Sequence, residues 1–526
     1  MTSEELSDDA KPVTVDPRSR PFDLPVLVAE TGAHDGWQAA AAVVESHWDA
    51  FASAAPKHLL AALKALPGEA FVNMPSLSVA ANYLQHVVID GEPRRFFHDG
   101  RLAPNPDPEA SANLDTLVLL TGKAAGDRTA GRLEEARRTV LEAKAVLDRI
   151  DSSERAAIVN SLPHLRFQWG RTLDAAQASG AIGEYEEAYD LARLTRQPVI
   201  ARRAAAHIAW AHADRGRLND ADLWLARAQA EPATNGRYDV ILFLTSALLK
   251  QDRGDRSAEA DLARALGLPL GEQWAAALWV SALLAQGNPG AASVDAQLER
   301  ELERHSEAQL GGSDARYVNA ARARLARARP RLRGIVAPIP TETALDPLLD
   351  ATLAYFEGRY VDALASSEEA RTLTAAPRVE APALLLASAS HHELGHFPTA
   401  AESFRSANAI IQQQRMYSAY TFVPARTLTV LAHQAGEVIH GRRPAAAEEP
   451  ALPKLTKRER QILGLLASGL SVQQIAADLY ISPNTLKSTM RDLYRKLGVN
   501  SRAAAVQQAK DFEASFTHRK TQSPQR

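Results

Sequence analysis

The chain has 526 residues, 46% hydrophobic and 23% charged, which admits two to four domains and excludes a collagen-like, mucin-like or wholly disordered protein. The absence of cysteine removes disulfides, thiolate metal sites and a cysteine nucleophile, and it fits a reducing compartment. The net charge of −3 does not exclude a polyanionic partner, because residues 451–526 carry 13 basic and 5 acidic side chains (+8) and the first 450 residues carry −11.

Residues 1–25 are polar, acidic and punctuated by proline, without hydrophobic periodicity; they read as a disordered tail and not as a secretory signal. No stretch of about 18 uncharged apolar residues is present, so no membrane span is expected and the cytoplasm is the expected location. Residues 26–441 read almost throughout as short helices rich in Ala, Leu, Arg and Glu. The longest expected loop is the Pro-rich stretch at 90–108. Nothing alternates like a set of strands, so the expected fold class is all-α. Residues 442–453 hold three prolines and no apolar stripe and read as an interdomain linker, followed by a domain at 454–516 and a disordered tail at 517–526.

Within the body a glycine at a helix end is followed five residues later by alanine: Gly131/Ala136, Gly183/Ala188, Gly216/Ala221, Gly358/Ala363 and Gly395/Ala400, with looser copies at Gly254 and Gly287/Ala292. Glycine suits the left-handed position that reverses a chain, and alanine allows two helices to approach closely. The recurrence, with Trp169-Gly170 as an aromatic and small pair, resembles tetratricopeptide repeats, whose period is about 34 residues. An irregular helical bundle is the alternative. Such hairpins stack into a solenoid with a concave surface for an effector or a protein partner. Trp210, Trp224, Tyr238, Trp274 and Trp279 are expected in its core more than on that surface.

Residues 452–516 carry the densest pattern. Thr456 with Glu459, and Ser471 with Gln474, are capping boxes that open two helices. Ser482 caps a third helix whose first residue is Pro483, and Ser501 is expected to open a fourth. At about 100° per residue, Leu486, Met490, Leu493 and Leu497 form one stripe of the third helix. Asn484, Lys487, Ser488, Arg491 and Arg495 form the adjoining polar stripe. A helix that docks by one face and reads DNA by the other has this pattern, and so does an amphipathic bundle helix.

The run LTKRERQILGLLASGLSVQQIAADLYISPNTLKSTMRDLYRKLGVNSRAAAV resembles the LuxR-type DNA-binding domain nearly end to end: L-T-x-R-E, A-x-G, I-A-x-x-L, I-S-x-x-T-L-K and K-L-G-V-x-S-R stand in order. The resemblance implies a four-helix helix-turn-helix domain in a transcriptional regulator that binds double-stranded DNA as a homodimer. It places base contacts at Lys487, Ser488 and Arg491. Backbone contacts are expected from Thr456, Lys457, Arg458, Ser482, Asn484, Thr485, Arg495 and Lys496, and the dimer surface at Ala503, Val506 and Gln507. Thr489 departs from the family, which often has histidine there.

The body resembles the repeat region of large ATP-binding LuxR-type regulators but lacks their phosphate loop. Thr121-Gly122-Lys123-Ala124 has neither the upstream glycine nor the hydroxyl that holds magnesium, and Gly122 reads as a helix-end glycine. His392-Glu393-Leu394-Gly395-His396 satisfies the H-E-x-x-H pattern of zinc hydrolases, but Gly395 belongs to a repeat turn and should place His396 off the helix. The expectation is therefore a non-enzymatic regulator without metal or cofactor, its body sensing an unidentified effector. A DNA-tethered scaffold is the alternative, and a zinc hydrolase the remote one.

Overall fold

The computed structural model describes residues 23–441 apart from 75–76, 78, 82–83, 85–112, 234–237, 286, 306–309 and 329–344, then residues 456–497 apart from 469, and Arg502. All regular elements among the described residues are helical, and the chain divides into two compact units, Met1–Pro444 and Ala445–Arg526. None of the helices described is long and apolar enough to cross a membrane. The loop expected at 90–108, the linker at 442–453 and the tail at 517–526 lie outside the described residues. Residues 1–22 of the tail expected at 1–25 also lie outside the described residues, while Asp23 caps α1 (Leu24–Asp35) by accepting from the Val26 amide and Pro25 occupies its first turn, so residues 24 and 25 are helical.

In the first unit α1, α2 (Trp37–Ala54), α3 (Pro56–Lys64) and α4 (Gly68–Asn73) close around a separate core containing Leu24, Leu59, Leu63 and Leu84. The body continues through α5 (Asn113–Thr129), α6 (Leu133–Arg149), α7 (Ser152–Ala157), α8 (Leu162–Ala175), α9 (Ala181–Leu194), α10 (Pro198–Arg215), α11 (Leu218–Ala230), α12 (Val240–Asp252) and α13 (Ala258–Leu266). After a 3-10 turn at Gly271–Gln273 come α14 (Trp274–Leu284), α15 (Gly287–Arg304), α16 (Gly312–Ala328), α17 (Leu345–Phe356), α18 (Tyr360–Leu373), α19 (Pro377–Glu393), α20 (Phe397–Gln414) and α21 (Ala425–Ala435).

One turn recurs along this body. Gly131, Gly216, Gly254, Gly358 and Gly395 all take left-handed φ, between +71° and +81°. At each, the next amide donates to the carbonyl five residues back: Arg132 to Asp127 at 2.9 Å, Arg217 to His212 at 2.9 Å, Asp255 to Lys250 at 2.9 Å, Arg359 to Ala354 at 2.9 Å and His396 to His391 at 2.8 Å. This is the Schellman closure, which satisfies carbonyls that a helix end leaves open. Ala136, Ala221, Ala363 and Ala400 are fully buried where the second helix of each hairpin meets the first. The same closure is made without glycine at Gln177, Arg196 and Arg415, each at positive φ. Ala201, five residues after Arg196, is again fully buried.

Two glycine assignments are corrected. Gly183 sits inside α9, and the left-handed residue before that helix is Gly180, although Ala188 is buried as expected. Gly122 sits in mid-α5, where an added Cβ would stand 2.7 Å from Val79 Cγ1; it serves close packing and not a helix end.

Trp210, Trp224, Trp274 and Trp279 are buried as expected, and Arg203 stacks on Tyr238 with its guanidinium 4.4 Å from the ring centre. The late helices return onto the early ones. Arg378 of α19 donates to the Ala213 carbonyl at 2.7 Å and pairs with the buried Asp252 at 2.6 Å, while Arg316 of α16 pairs with Asp214 at 2.5 Å. Gly216 permits the first contact, since a Cβ there would stand 2.5 Å from the Arg378 amide nitrogen. The curl gathers α5, α8, α9, α10, α14, α15 and α16 around a cavity of about 620 Å³.

The H-E-x-x-H pattern is broken by the same turn. Helix α19 ends at Glu393, Gly395 has φ +79°, and His396 is the N-cap of α20. His391 and His396 meet through their Nδ1 atoms at 3.5 Å, and His392 Nδ1 lies 3.0 Å from Gln434 Oε1. No group of three or more potential metal ligands occurs among the described residues.

Candidate nucleic-acid interface

The second unit is built from α22 (Lys457–Ala467), α23 (Val472–Asp478) and α24 (Pro483–Leu497). Both capping boxes form. Thr456 Oγ1 accepts from the Glu459 amide at 3.2 Å while Glu459 Oε2 accepts from the Thr456 amide at 2.8 Å. The Ser471–Gln474 pair repeats this at 3.3 and 2.8 Å. Ile462, Leu463, Leu466, Ile475, Ala476, Leu479, Leu486, Met490 and Leu493 make one small core. Leu486, Met490 and Leu493 belong to the stripe read from the sequence on the third helix, and the helix starts are those the caps require.

Between α23 and α24 the chain turns at Tyr480, which takes φ +53° and is 97% exposed. Its conformation lets the Ile481 amide close on the Ala476 carbonyl at 3.0 Å, the same closure that glycine makes in the body. Ser482 Oγ then accepts from the Thr485 amide at 3.1 Å and meets Thr485 Oγ1 at 2.8 Å, fixing the first turn of α24. The turn therefore sets the angle of α24, and the Ser482–Thr485 contacts fix the polar groups at its start.

On α24 the two stripes separate cleanly. Leu486, Met490 and Leu493 are buried, whereas Asn484, Lys487, Ser488 and Arg491 are exposed. Thr489, at the position of departure, is half-buried and donates its hydroxyl to the Thr485 carbonyl at 2.9 Å, so it lies off the exposed stripe. Arg458 also holds the unit together, because its Nη2 donates to the Leu479 carbonyl at 2.6 Å and ties α22 to the end of α23. The side chains of Lys457, Arg460, Arg495 and Lys496 lie outside the described residues, as do Ala503, Val506 and Gln507.

One residue escaped the sequence reading. Arg502 Nη2 donates to the Leu466 carbonyl at 3.2 Å, at the end of α22, and to the Leu470 carbonyl at 2.5 Å. The signal for it was the terminal arginine of the K-L-G-V-x-S-R motif, read for family likeness and not for geometry. Charge-assisted bonds to helix-end carbonyls are among the stronger ones available.

Residues 453–509 match the family described as bacterial regulatory proteins, luxR family. Over 60 residues the chain is 50% identical to the probable transcriptional regulatory protein NarL of Mycobacterium tuberculosis, in strain CDC 1551 / Oshkosh and equally in strain ATCC 25618 / H37Rv. That match covers 11% of this chain and 28% of each relative. The chain thus spans little more than a quarter of the length of these curated relatives. No solved structure matches it.

Proposed function

With residues 453–509 forming a domain of the bacterial luxR family, we propose that the protein is a sequence-specific DNA-binding transcriptional regulator whose helical body senses an effector. The carrying observation is the exposed stripe of Lys487, Ser488 and Arg491 on a helix whose adjoining face is locked by Leu486, Met490 and Leu493. Lysine and arginine donate to guanine O6 and N7, and serine pairs with several base edges. The first turn of α24, with Ser482, Asn484 and Thr485, offers amides and hydroxyls to phosphate, joined by Thr456, Lys457, Arg458, Arg495 and Lys496. Pairing of two copies through Ala503, Val506 and Gln507 fits a two-fold DNA site. Exclusion of phosphate from the body follows from its charge of −11 over residues 1–450.

The test is a band shift of the full chain against genomic fragments, followed by footprinting of the retained site. A regulator binds one site well above competitor DNA at physiological salt. Binding that is uniform across sequences and lost with salt supports only electrostatic tethering of a scaffold.

A further inference from the structure

The cavity of the body is ringed by charge, but most of that charge is already paired. Arg128 donates Nε to Glu272 Oε2 at 2.8 Å and Nη1 to Thr172 Oγ1 at 2.8 Å, and Arg171 meets Glu272 Oε1 at 2.9 Å. Glu272, clamped between two guanidiniums, is held down to about 2 against its burial. Arg304 faces Glu301 at 3.4 Å.

Two carboxylates that line the cavity have no such partner. Asp174 of α8 and Asp314 of α16 line the cavity, and neither makes a side-chain hydrogen bond or ion pair among the described residues. The arginines whose fields reach Asp174 are engaged elsewhere: Arg171 with Glu272, Arg215 with the Ala211 carbonyl at 2.8 Å, and Arg316 with Asp214. The charged neighbour of Asp314 is another carboxylate, Glu272. Burial without a paired cation lifts the two carboxyls to about 6 and about 7.

His207 is a third lining residue with an unpartnered polar atom. It is nine-tenths buried and lines the cavity, and its Nδ1 lies 2.9 Å from the Arg203 carbonyl. A carbonyl only accepts, so Nδ1 carries the proton and Nε2 is left as an acceptor without a partner. Burial and nearby arginines keep this ring neutral, with its pKa lowered to about 3. The remaining wall is aromatic. Trp274 stacks on His305 with centroids 4.3 Å apart, and Tyr317 lies 5.3 Å from Trp279 while its hydroxyl accepts from Trp210 Nε1 at 2.8 Å.

We propose that this cavity binds a small organic cation, an amine carried on an aromatic or apolar ring body, with Asp174 and Asp314 meeting its positive charge. The inference rests on the reading of the body as an effector sensor and names the class of effector. A volume of about 620 Å³ suits a molecule of drug or metabolite size. The unpaired charges are negative, and aromatic faces favour a cation. An anion would instead meet two carboxylates whose repulsion no free guanidinium offsets.

The experiment uses the full chain and a matched set of probes. Quinacrine and tryptamine are cations on ring bodies; N-acetyltryptamine is neutral and indole-3-propionate anionic. Binding is followed by calorimetry. The expected order is cation, then neutral analogue, then anion, with at least tenfold between tryptamine and indole-3-propionate. Asp174→Asn with Asp314→Asn should abolish that preference. The exposed Asp148→Asn should keep it.

The amide variants should melt no lower than the parent, which separates lost binding from lost folding. An anion binding as well as the cation, or no probe binding, overturns the proposal, as does an undiminished preference in the double variant. A band shift with and without tryptamine then tests the sensor reading separately. Saturable cation binding without any change in DNA affinity leaves the site standing and removes its role as a sensor.

Discussion

The two units use charge in opposite ways. In the C-terminal unit Lys487 and Arg491 stand outward on one helix, above a core of apolar side chains. In the body, charged side chains from helices far apart in sequence turn inward: Arg128, Arg171, Glu272 and Asp314 come from four different elements and meet around one cavity. Outward charge on a single helix has a period, so it can be read as a stripe. Inward charge assembled from several hairpins has none. It is also the costlier arrangement, because each buried group needs a partner in a fixed place.

The largest effect that would break this contrast is expected in the body. Gly312 opens α16 at φ +51°, and a Cβ there would overlap the Ala175 carbonyl oxygen and stand 2.6 Å from Leu133 Cδ1. Gly312→Ala should therefore destabilise the body by roughly 2–4 kcal/mol through strain and overpacking. Thermal unfolding of the full chain should lose stability in the body, while DNA binding by the folded luxR-family unit persists at low temperature. A variant that melts like the parent would mean that the cavity wall is looser than these contacts imply.

Next in size are the exposed cations. Lys487→Ala and Arg491→Ala should each cost about 1–3 kcal/mol at a specific site, without lowering the melting temperature. If both bind like the parent, the reading face lies elsewhere. The inward charges should behave in reverse, changing stability and not DNA affinity in the absence of effector. Asp174 and Asp314 ionise near 3.8 when unfolded and at about 6 and about 7 in the fold. Asp174 feels Arg171, Arg215, Arg316 and Asp214, and Asp314 feels Glu272.

Between about pH 4 and 7 the fold thus holds more protons on these groups than the unfolded chain does. Their contribution to stability is present below pH 4 and lost as the pH rises to 7. Asp174→Asn with Asp314→Asn should flatten that decline, by an amount on the order of 1–3 kcal/mol at pH 8. Denaturant melts at pH 5 and pH 8 measure it. A parent that is no less stable at pH 8, relative to the double variant, would contradict the burial of unpaired carboxyls.

What could be read in advance follows the same division. The three helix starts at Lys457, Val472 and Pro483 were legible because Thr456, Ser471 and Ser482 are local signals that act within four residues. Gly131, Gly216, Gly358 and Gly395 were legible because a left-handed turn favours glycine. Gly183 misled because its spacing to Ala188 fits the pattern, while the turn itself falls at Gly180. Gln177, Arg196, Arg415 and Tyr480 make the same closure without the residue that announces it. The cavity was illegible: Arg128 and Glu272 are 144 residues apart, and no local rule joins them. Of the aromatic residues read as core, Trp210, Trp224, Trp274 and Trp279 are buried and Tyr238 is only partly so, yet Trp210 and Trp274 also line the cavity.

The smallest predicted effect tests a residue with two assignments. Thr456 caps α22 through its hydroxyl, and it is also placed as a phosphate contact. Thr456→Ala should cost about 1 kcal/mol of stability by losing the cap, which would lower DNA binding under either role. Thr456→Asp separates them. Aspartate caps as well as threonine and suits the positive end of the helix, so stability should hold. A carboxylate facing phosphate should nonetheless weaken DNA binding several-fold, and more so at low salt, where exposed charges are least screened. Unchanged affinity with unchanged stability would assign Thr456 to capping alone, and phosphate contact at that end of the unit would then fall to the basic side chains and the amides of α24.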